Sequence, residues 1–254
     1  HSYNGDEISK KWSIENGVMV FDPKNPNVKN LTSSGNIVTD QEFTNFELYL
    51  EWNVSEVGNS GLFWGVKEIE GLSQPYLTGA EIQILDNDRH PDAKNNPKFH
   101  QSGALYDMVQ PESDVCNPAG QWNIMILKIN HAENLGSVKL NGTKIVEFPL
   151  AGPKWAKLVE NSKFKNWEYF GAYKTGKIGL DGGLNDYTQG RTPATMVEAL
   201  QFPVFEDKAL FTQKMAPAFG DQNKMSNPSG VPLPITYSFT VHGVSGIVHG
   251  DTFN

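Results

Sequence analysis

Nine residues from Phe46 to Val54 alternate without a slip: Phe-Glu-Leu-Tyr-Leu-Glu-Trp-Asn-Val. Phe46, Leu48, Leu50, Trp52 and Val54 share one face; Glu47, Tyr49, Glu51 and Asn53 share the other. That period of two belongs to a strand buried on one side only. Similar short apolar segments follow along the chain, separated by 24 glycines and 15 prolines. Such punctuation is the pattern of a many-stranded β protein. Strands are expected at 17–21, 35–39, 60–66, 104–109, 121–129, 136–140, 145–148 and 177–180. Asn141-Gly142 lies between two of them as a hairpin turn, since both residues tolerate positive φ. The one helix expected is Pro153 to Phe164, with proline suited to its first turn. Many short strands with a single helix imply an all-β sandwich.

One strand carries chemistry. Residues 79–86 read Gly-Ala-Glu-Ile-Gln-Ile-Leu-Asp, so alternation puts Glu81 and Gln83 on one face and Ile82 and Ile84 on the other. Acids are depleted from ordinary strands. A carboxylate beside an amide therefore reads as the floor of a polar groove, the competing reading being a solvated outer face. Asp86 closes the strand, and a polar loop runs from Asn87 through His90 to Lys98.

Composition removes several classes of function. The chain has 254 residues and a formal net charge of −8, without the basic surface that phosphate binding requires, so no nucleic-acid partner is expected. No run of about 18 apolar residues is present, so no membrane span is expected. Cys116 is the only cysteine, which excludes an intrachain disulfide and a multi-cysteine zinc site. The chain starts at His1 without methionine, as it would if a leader had been removed. A periplasmic or secreted protein is the expectation, with a cytoplasmic one as the alternative.

A longer pattern is shared with a known family. It runs through Trp12-Ser13-Ile14-Glu15-Asn16-Gly17, Ile37-Val38-Thr39-Asp40, Phe46-Glu47-Leu48, Glu51-Trp52 and Asn59-Ser60-Gly61-Leu62-Phe63. It continues through Thr78 to Asn87, His90-Pro91-Asp92-Ala93, Ser102 to Asp107, Pro118 to Asn123, Leu140-Asn141-Gly142 and Gly176-Lys177-Ile178-Gly179-Leu180. In order and spacing the chain resembles the bacterial 3-keto-disaccharide hydrolase family over residues 12–180. The resemblance implies a concanavalin A-like jelly-roll β-sandwich. Past Leu180 it fails: Asp181-Gly182-Gly183 stands where family members carry a Gln-Asp-His-Gly turn. Val197 to Phe205 reads as a diverged closing strand, confined to an edge by Pro203. The expected division is a sandwich domain at 1–205 and an extension at 206–254.

The resemblance further implies a carbohydrate substrate, a glycoside already oxidised to a ketone at C3. The ketone acidifies the C2 hydrogen. A base that removes it makes an enolate able to expel the C1 substituent, after which water adds back. This chemistry needs a base at C2, a donor or cation for the enolate oxygen, and an acid for the departing oxygen. Glu81 is the expected base, with Asp86, His90, His100 and Tyr106 as further catalytic candidates. Gln83, Asn59, Trp64 and Asn87 are the expected substrate-binding residues. Plainer roles compete: a turn cap for Asp86, a core ring for Tyr106, a β-bulge for Asn59. No cofactor is required, although Glu81, Asp86, His90 and His100 supply ligands suited to calcium, magnesium, manganese or zinc. Two other functions use the same sandwich. A laminarinase-type glycoside hydrolase carries three alternating acids, and Gln83 replaces the middle one. A non-catalytic lectin-like module would line its face with aromatics and amides.

Overall fold

The computed structural model describes residues 1–5, 7–15, 18–22 and 35–182, and the backbone of three strands beyond them. In chain order the strands are β1 (Trp12–Glu15), β2 (Val18–Phe21), β3 (Ile37–Phe43), β4 (Phe46–Trp52), β5 (Asn59–Val66) and β6 (Ala80–Leu85). They continue with β7 (Asn123–Asn130), β8 (Leu135–Leu140), β9 (Thr143–Phe148), β10 (Gly176–Leu180), β11 (Val204–Phe205), β12 (Ser238–Val241) and β13 (Val244–His249). Helix α1 is a single turn at Asp92–Asn95, and α2 spans Gly152–Glu160. None of the described helices is long and apolar enough to cross a membrane.

Two antiparallel sheets carry the fold, in the orders β3-β10-β5-β6 and β11-β4-β7-β8-β9. They form the jelly-roll β-sandwich expected of the alternation. In β4, Phe46, Leu48, Leu50 and Trp52 are buried while Glu47, Tyr49 and Glu51 are half-exposed. Across the interior they join Leu62, Trp64, Ile82, Ile84, Ile178 and Leu180 in one core. Each fully buried Leu or Ile contributes about 1.5–3 kcal/mol of transfer free energy, so this alternation alone pins the register of both sheets. The Asn141-Gly142 turn has φ of 49° and 84°, the left-handed pair a two-residue hairpin needs.

Two expectations are corrected. Residues 104–109 do not form a strand: Gly103 at φ 84° and Asp107 at φ 58° bend the chain, leaving only isolated bridges from Leu105 to Ile82 and Val109. The bent segment still covers the open edge of β6, because Tyr106 N–H donates to the Glu81 carbonyl (3.0 Å) and Gly103 N–H to the Gln83 carbonyl (2.8 Å). Helix α2 stops at Glu160, before Phe164. Ser162 turns its hydroxyl back onto the Val159 carbonyl (2.8 Å), and Phe164 is buried instead by stacking on Phe170 (3.9 Å between centroids). Trp12–Glu15 forms strand β1, paired with β2. Strand β11 pairs with β4 at the edge of its sheet. Residues 197–203 of that expected strand, and the 206–254 extension apart from β12 and β13, lie outside the described residues.

The outward face of the four-stranded sheet is where the polar strand matters. Ala80, Ile82 and Ile84 enter the core, so Glu81 and Gln83 point away from it. Beside them Tyr3, Val38, Phe63 and Val66 make a second, smaller apolar cluster with Tyr76 against it. Some of this outer face is therefore dry, and Glu81 stands at its margin.

Candidate active site

Glu81 lies opposite Phe63 on β5, and Gln83 lies opposite Gly61. The Glu81 carboxylate leans diagonally over Gly61: a Cβ added at that glycine would collide with Oε1 and stand 2.7 Å from Cδ. Lacking a side chain, Gly61 leaves the space in which the carboxylate rests. Glu81 itself is half-buried, and no hydrogen bond among the described residues holds its carboxylate oxygens. Burial pushes its pKa well above the ordinary carboxylate range; Asp181 pushes it further, Lys163 opposes and Asp92 adds a smaller push. Desolvation and like charge both favour the protonated acid, which makes this carboxyl a stronger proton acceptor than an ordinary one.

Asp181 follows β10 directly. Its N–H donates to the Gly61 carbonyl at 2.8 Å, and its carbonyl accepts the Ser60 hydroxyl at 2.8 Å. The backbone of β5 thus fixes Asp181 beside Glu81, and Asp181 is itself buried. Tyr76 brings a half-buried phenol near both carboxylates; burial raises its pKa, and Asp181 and Glu81 add to the rise.

On the other side of Glu81 the loop after β6 assembles a charged clamp. His100 donates Nδ1–H to Asp92 Oδ1 (2.9 Å) and Nε2–H to Asp107 Oδ1 (3.0 Å). Only the imidazolium can donate to two carboxylates at once. Burial opposes the charge, but the two aspartates outweigh it and raise the His100 pKa. Burial likewise opposes ionisation of Asp92; hydrogen bonds from His100 and Tyr106 win and hold it below the usual range. Asp107 is lowered in the same way against its burial, chiefly by the Lys163 N–H and by His100. Tyr106 donates its hydroxyl to Asp92 Oδ2 (2.9 Å) and stacks on His100 with centroids 4.4 Å apart. Lys163 Nζ sits 4.1 Å from the centre of the Tyr106 ring.

The structure brings Glu81, His100 and Tyr106 together, but it alters the roles open to the last two. His100 has both nitrogens engaged and serves as the cation of the clamp rather than as a free base. Tyr106 is neither core nor loose: its hydroxyl is aimed by Asp92. Gln83 shares the Glu81 face but is buried, and its Oε1 accepts the Ile84 N–H at 3.0 Å. Asn59 opens β5 on the same face, and no side-chain hydrogen bond among the described residues occupies its amide.

Four expected site residues are placed elsewhere. Asp86 is buried and accepts N–H bonds from Val57 (2.8 Å) and Asp88 (3.2 Å), so it caps the turn after β6. Asn87 takes the Ser102 N–H on Oδ1 (2.8 Å) and donates to Asp114, bridging loops. His90 is buried and its Nδ1 accepts the Asp92 N–H (3.1 Å); burial lowers its pKa against Asp92 and Asp86. Trp64 faces the core against Phe148, with centroids 5.5 Å apart. Among the described residues no three His, Cys, Asp or Glu side chains converge as a metal site, and Glu81, Asp86, His90 and His100 do not form one. Residues missed by sequence reasoning are Asp92, Asp107, Lys163, Asp181 and Tyr76. Asp92 and Asp107 lie inside recognisable motifs; Lys163 carries no signal at all.

Fold and site define a β-sandwich with a carboxylate-centred site on the outward face of one sheet. The chain belongs to the family of 3-keto-alpha-glucoside-1,2-lyase-like domains, which it matches over residues 1–187. It is 34% identical over 176 residues to a 3-keto-disaccharide hydrolase of Bacteroides thetaiotaomicron, an alignment covering 64% of this chain and 58% of that protein. The chain therefore spans less than two thirds of that relative's length. A crystal structure from Parabacteroides distasonis, described as a candidate glycosyl hydrolase, is similar at TM-score 0.67 and 26% identity, covering 80% of this chain and 86% of that one. A second from the same organism, at TM-score 0.53 and 22% identity over 76% of this chain and 88% of that one, shares the fold.

Proposed function

We propose that this chain cleaves the glycosidic bond of 3-keto-glycosides, with Glu81 as the base that removes the C2 hydrogen. The observation that carries this reading is the Glu81 carboxylate itself: fixed on a strand, free of hydrogen bonds among the described residues, and raised in pKa by burial and Asp181. Removal of H2 leaves its electron pair as the C2=C3 bond of an enolate with the charge on O3. Collapse of that enolate re-forms the ketone, makes a C1=C2 bond and expels the C1 oxygen, which takes a proton from solvent or the one Glu81 has just gained. Addition of water across C1=C2 gives the free keto-sugar. The Tyr106 hydroxyl donates its proton to Asp92 (2.9 Å), so in this reading its oxygen is left to accept a hydrogen bond from a sugar hydroxyl. Membership of the family and the name of the Bacteroides relative support the substrate class.

The test compares nitrophenyl 3-keto-glucosides of both anomeric forms with the parent glucosides. The wild-type chain should release nitrophenol from a keto form only, and Glu81→Ala should release none while keeping its melting temperature within a few degrees. Turnover of the parent glucosides would instead indicate a two-carboxylate hydrolase built on Glu81 and Asp181. Binding of plain glycans with no turnover of any substrate would indicate a lectin-like module.

A further inference from the structure

We infer that Lys163 is the electrophile of this site, its ammonium receiving the negative charge that develops on O3 when Glu81 removes the neighbouring hydrogen. The inference rests on the proposed function and adds to it the group that makes the enolate accessible.

Three observations lead to Lys163. First, its ammonium has no ion-pair partner among the described residues, although it stands in a strongly acidic neighbourhood. It rests on the Tyr106 ring face at 4.1 Å and on Phe164 at 5.3 Å. Aromatic faces hold a cation without neutralising it, so the charge remains available to a ligand. Second, its backbone is anchored: Lys163 N–H donates to Asp107 Oδ2 at 2.7 Å, and Asp107 also grips His100. The turn after α2 is thereby tied to the clamp that orients Tyr106, so the ammonium is carried on a fixed base although the side chain is exposed. Third, Lys163 lies beside Glu81 through Tyr106: its ammonium rests over the Tyr106 ring, and the Tyr106 N–H donates to the Glu81 carbonyl at 3.0 Å; its charge pulls the Glu81 carboxylate pKa down against burial and Asp181.

Base and cation are thus neighbours, and neither side chain has a hydrogen-bonding or ionic partner of its own among the described residues. The ligand that completes both has an acidic C–H and, on the next carbon, an oxygen that becomes anionic. An α-hydrogen of a ketone fits that description, since C2 and O3 lie only about 2.4 Å apart by ordinary bond geometry. In water an exposed ammonium contributes little to an anion. Bound sugar over the site excludes solvent, and the same charge then acts in a lower dielectric. Proton bookkeeping is simple: H2 goes to Glu81, the electron pair goes into the enolate, and Lys163 transfers nothing. The same arrangement would not help hydrolysis of a plain glycoside, where positive charge develops on the ring.

The test is Lys163→Met, which keeps the stem and removes the charge, beside Lys163→Arg, which restores it. With a nitrophenyl 3-keto-glucoside, Lys163→Met should lower kcat by about 100-fold and leave KM within about threefold. Exchange of the C2 hydrogen with solvent, followed by NMR, should slow by the same factor. The acid limb of its pH profile should move to higher pH, because Glu81 loses the cation that holds its pKa down; Lys163→Arg should reverse most of these changes. Less than a tenfold loss of kcat, or a loss confined to KM, overturns the role of Lys163 while leaving the proposed function intact. Absence of cleavage by the wild-type chain overturns both.

Discussion

Gly61 and Glu81 occupy each other's space: the carboxylate of one fills the position where the other would carry a side chain. The two residues sit on adjacent strands β5 and β6, so the carboxylate proposed as the base is placed by the sheet and not by a loop. That is the more exact kind of support for a group that must meet one particular hydrogen.

Gly61→Ala should therefore act on catalysis through Glu81. The new methyl would stand 2.7 Å from Glu81 Cδ and 2.8 Å from Cγ, which forces the carboxylate to swing off the strand. Displacing a reacting group by about 1 Å costs on the order of 100-fold. We expect a loss of that size in kcat on a 3-keto-glucoside, with circular dichroism and the hydrogen-bonding of β5 preserved. Activity within threefold of wild type would mean that the carboxylate works from another position.

Asp86→Ala should show the opposite pattern. It leaves the part-buried Val57 and Asp88 N–H groups without their acceptor, and losing hydrogen bonds to a charged group costs about 1.5–3 kcal/mol. Chemical denaturation should report a loss in that range. Folded Asp86→Ala protein, assayed well below its midpoint, should turn over within about threefold of wild type, as expected of a turn cap lying outside the chemistry.

The His100 clamp makes stability depend on pH in a defined direction. The His100 pKa is raised above 6.5, so its contribution is complete below that value and is lost as pH climbs through the raised one. Asp92 and Asp107 are lowered from 3.8; their contributions are complete above that value and are lost as pH falls through the lowered ones. The melting-temperature gap between wild type and His100→Gln should be widest at weakly acidic pH and narrow in both directions. At its widest it should correspond to about 2–3 kcal/mol, the cost of breaking a buried, hydrogen-bonded ionic group.

Glu81 works in the reverse sense. Its raised pKa means that ionisation is resisted by the fold, so its presence destabilises increasingly as pH rises above 4.5 towards the folded value. Glu81→Gln, inactive, should melt with wild type near pH 4 and above it near pH 8. An inactive variant that is more stable than its parent is the signature of a group placed for chemistry at the expense of folding.

How much of this was legible in the residues follows from local and non-local physics. The alternation of Phe46 to Val54 and the Asn141-Gly142 turn depend on neighbours along the chain, and both appear as read. So does the division of Glu81 from Ile82. Asp86 and Glu81 look alike in sequence, being acids six residues or fewer from the same polar loop. Only the tertiary position of Val57 and Asp88 makes one a cap, and only the glycine across the sheet makes the other a free carboxylate. Trp64 was assigned to sugar by its residue type, yet its place in β5 turns it inward. Lys163 lies 82 positions from Glu81 in the chain, beyond a helix whose end falls earlier than its hydrophobic spacing suggests. Nothing local marks it, because its significance arises when the turn after α2 docks on Asp107.

The central claim is that Glu81 takes the hydrogen from C2 of a keto-sugar. Incubating wild type and Glu81→Gln with a 3-keto-glucoside in deuterated water, and following the H2 resonance by NMR, tests it at that atom. Loss of H2 with wild type, at least as fast as aglycone appears, and its persistence with Glu81→Gln is the expected result. Aglycone release by wild type with H2 retained in substrate and product, or equal loss of H2 with the Gln variant, would contradict it.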